Sequence, residues 1–169
     1  MIEIRPAVST DVEIIAQFNI ALCRETEGRE LERVTVTNGV RRFVTESKRG
    51  RYFVAEIDGQ VVGQAAHTFE WSDWRNGEIW WIQSVYVHPL FRSKGVFRTL
   101  FMHIKELGEA DADCCGIRLY MERENETARE SYRRLGFSET GYVVFERLFS
   151  RRDDTSTKSR HEAGMGKMV

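Results

Sequence analysis

The sequence predicts an α/β protein, a mixed and mostly antiparallel sheet flanked by about four helices, on three observations. A chain of 169 residues suits one domain with a single sizeable core. Apolar alternation and helical periodicity follow each other in the order β α α β β β α β α β. Hairpin signals crowd the first half, whereas strands alternate with helices in the second, so antiparallel and parallel pairings should share one sheet.

Ile2 to Arg5 alternates apolar with charged residues and stops at Pro6, as a short strand would. Ser9, Thr10 or Asp11 can cap the helix that follows, which carries Val12, Ile14, Ile15, Phe18, Ile20 and Leu22. Thr37 to Lys48 predicts a second helix, with Gly50 placed to end it. Tyr52 to Ile57, the Asp58-Gly59 turn and Val61 to Phe69 form the strongest hairpin signal, because Asp and Gly tolerate the positive φ of a two-residue turn. Glu70 to Glu78, "EWSDWRNGE", reads as a loop. Trp80 to Val87 is rich in aromatic and β-branched residues and ends before Pro89, which predicts a strand. Gly95 then opens a helix to about Ala110. Ile117 to Met121 predicts a strand, Asn125 to Leu135 a helix ended by Gly136, and Tyr142 to Leu148 a last strand. After Phe149 large apolar residues become few, so residues 1–149 are expected to form the single domain and 150–169 a disordered tail.

The formal net charge of -1 supplies no global basic field, which disfavours nucleic acid as a partner. No stretch approaches the roughly 18 apolar residues of a membrane helix, so a cytoplasmic protein without a membrane partner is expected. Cys23, Cys114 and Cys115 lack the spacing of a zinc pair, and neither a metal site nor a disulfide framework is expected. The sequence leaves open whether the protein is a homodimer.

The segment "HPLFRSKGVFRTLF" joins a predicted strand to a predicted helix. A helix start offers backbone N–H groups without carbonyl partners, and its dipole favours an anion. Gly95 permits close backbone approach, while Arg92, Lys94 and Arg98 add charge suited to a pyrophosphate. The alternative is a solvated basic turn. Neither the triphosphate loop nor the three-glycine dinucleotide fingerprint is present.

Arg92, Ser93, Lys94, Gly95 and Val96 resemble the acetyl-coenzyme A loop of the GNAT superfamily of N-acetyltransferases. Phe97 departs from it, standing where the family has a small residue, and is expected to pack beside Phe101 with only its N–H offered to a ligand. A second resemblance lies in "NETARESYRRLGF", through Asn125, Ala128, Tyr132, Gly136 and Phe137. Asn125 and Tyr132 lie two helical turns apart and would share a face. Alone, Asn125 reads as an N-cap and Tyr132 as a core aromatic. The resemblance implies that the cofactor is acetyl-coenzyme A, that the backbone of Val85, Tyr86 and Val87 pairs with its pantetheine amides, and that a gap opens beside Ile117 to Met121. It further implies that Tyr132 protonates the departing thiolate and that a backbone N–H near Val85 polarises the carbonyl.

Transfer to a primary amine of a small molecule or peptide needs a neutral nitrogen, oxyanion stabilisation and a proton for the thiolate. Neither Cys114 nor Cys115 belongs to a motif, which favours direct attack. Gln83 occupies the place where relatives carry a glutamate, and an amide cannot act as base. Glu25, Glu27, Glu70 and Glu78 are the carboxylates left as candidates. All four tryptophans lie within about a dozen residues, and Trp71 and Trp74, with Glu70 and Asp73, are candidates to box a cationic amine. Two alternatives stand beside the small-molecule enzyme: a non-catalytic acyl-coenzyme A sensor, and an acetyltransferase of protein N-termini or lysines.

Overall fold

The computed structural model describes residues 1–149 of the chain, which divides into two compact units, Met1–Arg129 and the segment from Glu130 onward. The first unit holds a five-stranded sheet in the order β1-β2-β3-β4-β5. The first three pairings are antiparallel and that of β4 with β5 is parallel.

β1 (Glu3–Pro6) is an edge strand fastened by charge. Arg5 donates to both oxygens of Asp11, at 2.7 and 2.9 Å, and to Glu56 on the neighbouring strand at 2.6 Å. Asp11 therefore does not cap the first helix as the sequence suggests. It closes a short 3-10 turn by accepting from the Val8 amide at 2.8 Å, and its bonds to Arg5 hold the carboxyl below its ordinary range.

α1 (Val12–Glu27) turns Val12, Ile15, Ala16 and Phe18 inward and stops at Gly28, whose φ is 63°. α2 (Arg33–Thr45) begins earlier than its apolar pattern indicates, because the Glu32 carboxylate accepts from the amides of Val34 and Thr35 and caps it. Gly50 does not terminate α2. With φ at 141°, it sits where a Cβ would stand 2.0 Å from the His67 carbonyl oxygen, so only glycine lets the two backbones approach.

β2 (Arg51–Ile57) and β3 (Gln60–Ser72) join through Asp58 and Gly59, at φ of 51° and 75°, the tight turn expected from the sequence. β4 (Gly77–Val87) starts immediately after a second turn, so the expected loop from Glu70 to Glu78 is a hairpin. Trp71 pairs with Glu78, and the Arg75 amide bonds Ser72 O at 3.1 Å. Asn76 supplies the positive φ there, at 48°.

On one face of the sheet Tyr52, Val54 and Ala66 pack with Val12, Ile15 and Ala16 of α1 and Val40 of α2. α3 (Val96–Ala110) covers the other face, setting His103 edge-on against Phe53 and Gly108 against Trp80. β5 (Cys114–Leu119) completes the sheet, and α4 (Glu126–Arg134) carries the boundary between the units.

In the second unit, Gly136 at φ 88° ends α4, and the Phe137 amide returns to Tyr132 O at 3.0 Å. The strand expected over Tyr142 to Leu148 is absent. Alternation prepares a strand, but a strand exists only with a hydrogen-bonded neighbour, and no ladder among the described residues includes this segment. Tyr142, Phe145 and Leu148 are exposed there. The expected tail, 150–169, lies outside the described residues.

Candidate functional site

The end of β4 is built differently from its start. Pairing with β5 runs from Glu78↔Cys114 to Ile82↔Leu119 and stops, whereas β4 continues to Val87. Gln83 to Val87 thus has β3 on one side and no strand on the other among the described residues. On the β3 side the register passes from Ala66↔Gln83 to Gln64↔Tyr86, so Ser84 and Val85 together face Ala65. This is a β-bulge, and Ser84 takes a φ of 53°, unusual for a non-glycine residue in a strand.

The chain then makes a 3-10 turn, Pro89–Phe91, and the basic loop that opens α3. Ser93 and Gly95 both have positive φ, 60° and 83°. Alternation of left-handed with ordinary residues turns successive N–H groups toward one concavity, which suits an anion, and it lies at the amino end of α3. A Cβ at Gly95 would meet nothing within 4 Å, so glycine is required there by its dihedral angle and the space beside it is open. Lys94 rests over the Phe91 ring at 5.1 Å, and neither it nor the exposed Arg98 has a carboxylate partner among the described residues. Val96 is buried, and Phe97 lies 6.4 Å from Phe101, ring to ring.

Arg92 is already engaged. Its Nε donates to Val87 O at 2.9 Å, its Nη2 to Glu25 Oε2 at 2.6 Å, and its guanidinium lies 5.5 Å from the centre of the Tyr86 ring. The Tyr86 hydroxyl donates to Glu25 Oε1 at 2.8 Å. Burial pushes the Glu25 carboxyl upward, but the hydrogen bonds from Arg92 and Tyr86 outweigh it and hold the group below its ordinary value. The structure thus brings Glu25, at the end of α1, to the cofactor-loop candidates, a link that depends on tertiary packing. Glu27 instead pairs with Arg29 at 3.0 Å.

The four-tryptophan stretch is divided. Trp80 is buried against His67, and Trp81 lies on the opposite face, stacked on Tyr120 with ring centres 4.3 Å apart. Glu70 accepts from Trp81 Nε1 at 2.6 Å and from Arg118 at 2.9 Å. Trp71 and Trp74 are exposed and make no ring contact with each other among the described residues, and Asp73 accepts from the Trp74 amide at 3.0 Å. The aromatic pair on this surface is therefore Trp81 with Tyr120, which spacing along the chain does not reveal. Gln83 stands one strand period beyond Trp81.

Asn125 caps α4, its Oδ1 accepting from the Ala128 amide at 2.9 Å. In the second unit, the Tyr132 ring meets Phe137 edge-on at 5.8 Å, and burial raises the phenol above its ordinary pKa.

Residues 15–137 match the model of the acetyltransferase (GNAT) family. A structure described as a possible acetyltransferase from Clostridium difficile 630 is 42% identical, with a TM-score of 0.83, and the match covers 89% of this chain and 99% of that one. A predicted acetyltransferase from Clostridium acetobutylicum, solved with acetyl-CoA, shares the fold at a TM-score of 0.72 and 19% identity, over 88% of this chain and 97% of that one. An uncharacterized N-acetyltransferase of Methanocaldococcus jannaschii is 33% identical over 93 residues, 54% of this chain but only 41% of that longer protein. With the family model spanning most of its length, and a mixed five-stranded sheet with four helices among the described residues, the chain belongs to the acetyltransferase (GNAT) family.

Proposed function

We propose that this chain is an N-acetyltransferase that moves an acetyl group from acetyl-coenzyme A to a primary amine of a small molecule or peptide by direct attack. The observation that carries the reading is the loop with left-handed Ser93 and Gly95, opening α3 beside the stretch of β4 that no second strand covers among the described residues. The amides of Gly95 to Arg98 would hold the pyrophosphate, with Lys94 and Arg98, which have no carboxylate partner among the described residues, adding charge. Val85, Tyr86 and Val87 would bond the pantetheine arm as a neighbouring strand does. Asn125 is assigned to the same cofactor by its motif, and Tyr132 to protonation of the departing thiolate. A phenol is protonated at neutral pH by its ordinary pKa of about 10, as an acid must be, and burial raises that pKa further.

The acceptor would approach over the face bearing Gln83, Trp81 and Tyr120. Glu25 and Glu70 are both held by guanidinium groups, so deprotonation of the amine would pass through water or fall to another carboxylate. That same neutralisation favours the second reading, a non-catalytic acyl-coenzyme A sensor. Calorimetric titration with acetyl-coenzyme A, followed by thiol release over a panel of small amines, peptides and proteins, tests both. Binding with amine-dependent thiol release supports the enzyme. Tight binding with no release over the whole panel supports the sensor, and no binding refutes both.

A further inference from the structure

A buried hydrogen-bond chain stands behind the bulge of β4. Gln64 on β3 donates through Nε2 to Ser84 O at 3.1 Å and to Asn19 Oδ1 on α1 at 2.7 Å. Asn19 in turn donates to the Tyr52 hydroxyl on β2 at 3.0 Å. Gln64 is 0% exposed, and its Oε1 has no partner among the described residues. A methionine or leucine in its place would avoid that unsatisfied atom. Two unfavourable features, an orphaned amide oxygen and a left-handed serine, therefore meet at one peptide group.

That peptide group joins Ser84 to Val85. In a planar trans peptide the C=O and the N–H point in opposite directions. Gln64 holds Ser84 O from the side of β3 and α1, so the Val85 N–H is held toward the other side, where β4 runs past the end of β5. Ser84 alone would relax out of its left-handed conformation, since a Cβ disfavours it. Asn19 and Tyr52 fix the rotation of the Gln64 amide, and with it the direction of the bond that resists this relaxation.

We propose that Gln64 is a positioning residue for acetyl transfer, locking the Ser84–Val85 peptide so that the Val85 N–H faces the thioester carbonyl. The inference rests on the acetyl-coenzyme A reading above and adds to it a specific support for the polarising amide. Gln64 itself touches neither the cofactor nor the acceptor.

The test is isotope-edited infrared spectroscopy of acetyl-coenzyme A carrying a 13C carbonyl, bound to the full chain, with affinity measured in parallel by calorimetry. In the parent the carbonyl band should lie below that of the free thioester, as a hydrogen bond from Val85 requires. Gln64→Met keeps the side-chain length and removes both donations. It should return the band most of the way to the free position while changing the Kd by less than about threefold, because the pyrophosphate loop is untouched. Adding Ser84→Gly, which accepts the positive φ without strain, should recover most of the lost shift, a rescue that general loosening of the core would not give. Should Gln64→Met fail to fold, Tyr52→Phe decides, with a smaller shift expected in the same direction. An unmoved band in the folded variant, or no recovery with Ser84→Gly, overturns the positioning role alone. Failure of the parent to bind acetyl-coenzyme A overturns the functional reading and this inference together.

Discussion

Acidification should destabilise this protein through one histidine. His67 on β3 is fully buried, its ring flat against Trp80 at 4.1 Å between centres and stacked on Phe53 at 6.0 Å, with neither nitrogen partnered among the described residues. Burial, helped by the nearby positive charge of Arg51 and opposed by Asp111, pulls the imidazole from 6.5 down to about 4. In the unfolded chain His67 takes up its proton near 6.5, but in the folded protein only near 4, so the unfolded state binds more protons between those values. Stability from this source is complete above the unfolded value and is lost as pH falls toward the folded one. The loss is about 2 kcal/mol near pH 5 and approaches about 3 kcal/mol near pH 4. His67→Phe keeps a ring in the stack and removes the titration. Urea unfolding of both proteins between about pH 7.5 and pH 4 isolates the effect, since shared groups such as the Asp11 carboxylate cancel in the difference. The stability of the parent relative to the variant should fall by about 2 kcal/mol between pH 7.5 and pH 5. A difference independent of pH would refute the assignment of a buried, neutral His67.

Gly95→Asp should leave the fold intact, because a Cβ there meets nothing, yet weaken coenzyme A binding at least about tenfold through left-handed strain and repulsion of phosphate, read by calorimetry. Lys94→Ala should weaken coenzyme A binding more at low salt than at high salt, as expected for an exposed cation facing phosphate. Arg92→Ala should lower affinity by an amount nearly independent of salt, because its charge is matched by Glu25 and its donors are spent on Val87 and Glu25. A steep salt dependence for Arg92→Ala would show that the pair opens when the cofactor binds. Tyr132→Phe should lower turnover roughly 100-fold with little change in coenzyme A affinity, whereas near-normal turnover when chemistry limits the rate would make Tyr132 a packing residue.

What could be read along the chain is what short segments decide by themselves. The Asp58-Gly59 turn is fixed by two residues that tolerate positive φ, and the opening of α3 by Gly95 for the same reason. α1 and α3 announce themselves through apolar periodicity, and the resemblance that located the loop and Tyr132 is equally a matter of spacing. Segments whose state depends on a distant partner were not readable in this way. Tyr142 to Leu148 alternates as a strand does and has no ladder partner among the described residues, while Glu70 to Glu78 looks like a loop and is largely hairpin because Trp71 finds Glu78 across it.

The site divides along the same line. Sequence by itself determined the family, the order of elements from β1 to α4 and the basic, glycine-bearing loop, because these rest on local dihedral preferences and on residues close in the chain. Only the tertiary structure decided that Arg92 is bound to Glu25, that Trp81 stacks on Tyr120 while Trp74 faces solvent, and that Gln64 grips the bulge at Ser84. Glu25 and Arg92 are 67 positions apart, and Gln64 and Asn19 are 45. A charge or an amide specifies only that it needs a partner; packing around one sheet chooses which, because burial penalises every polar group left without one.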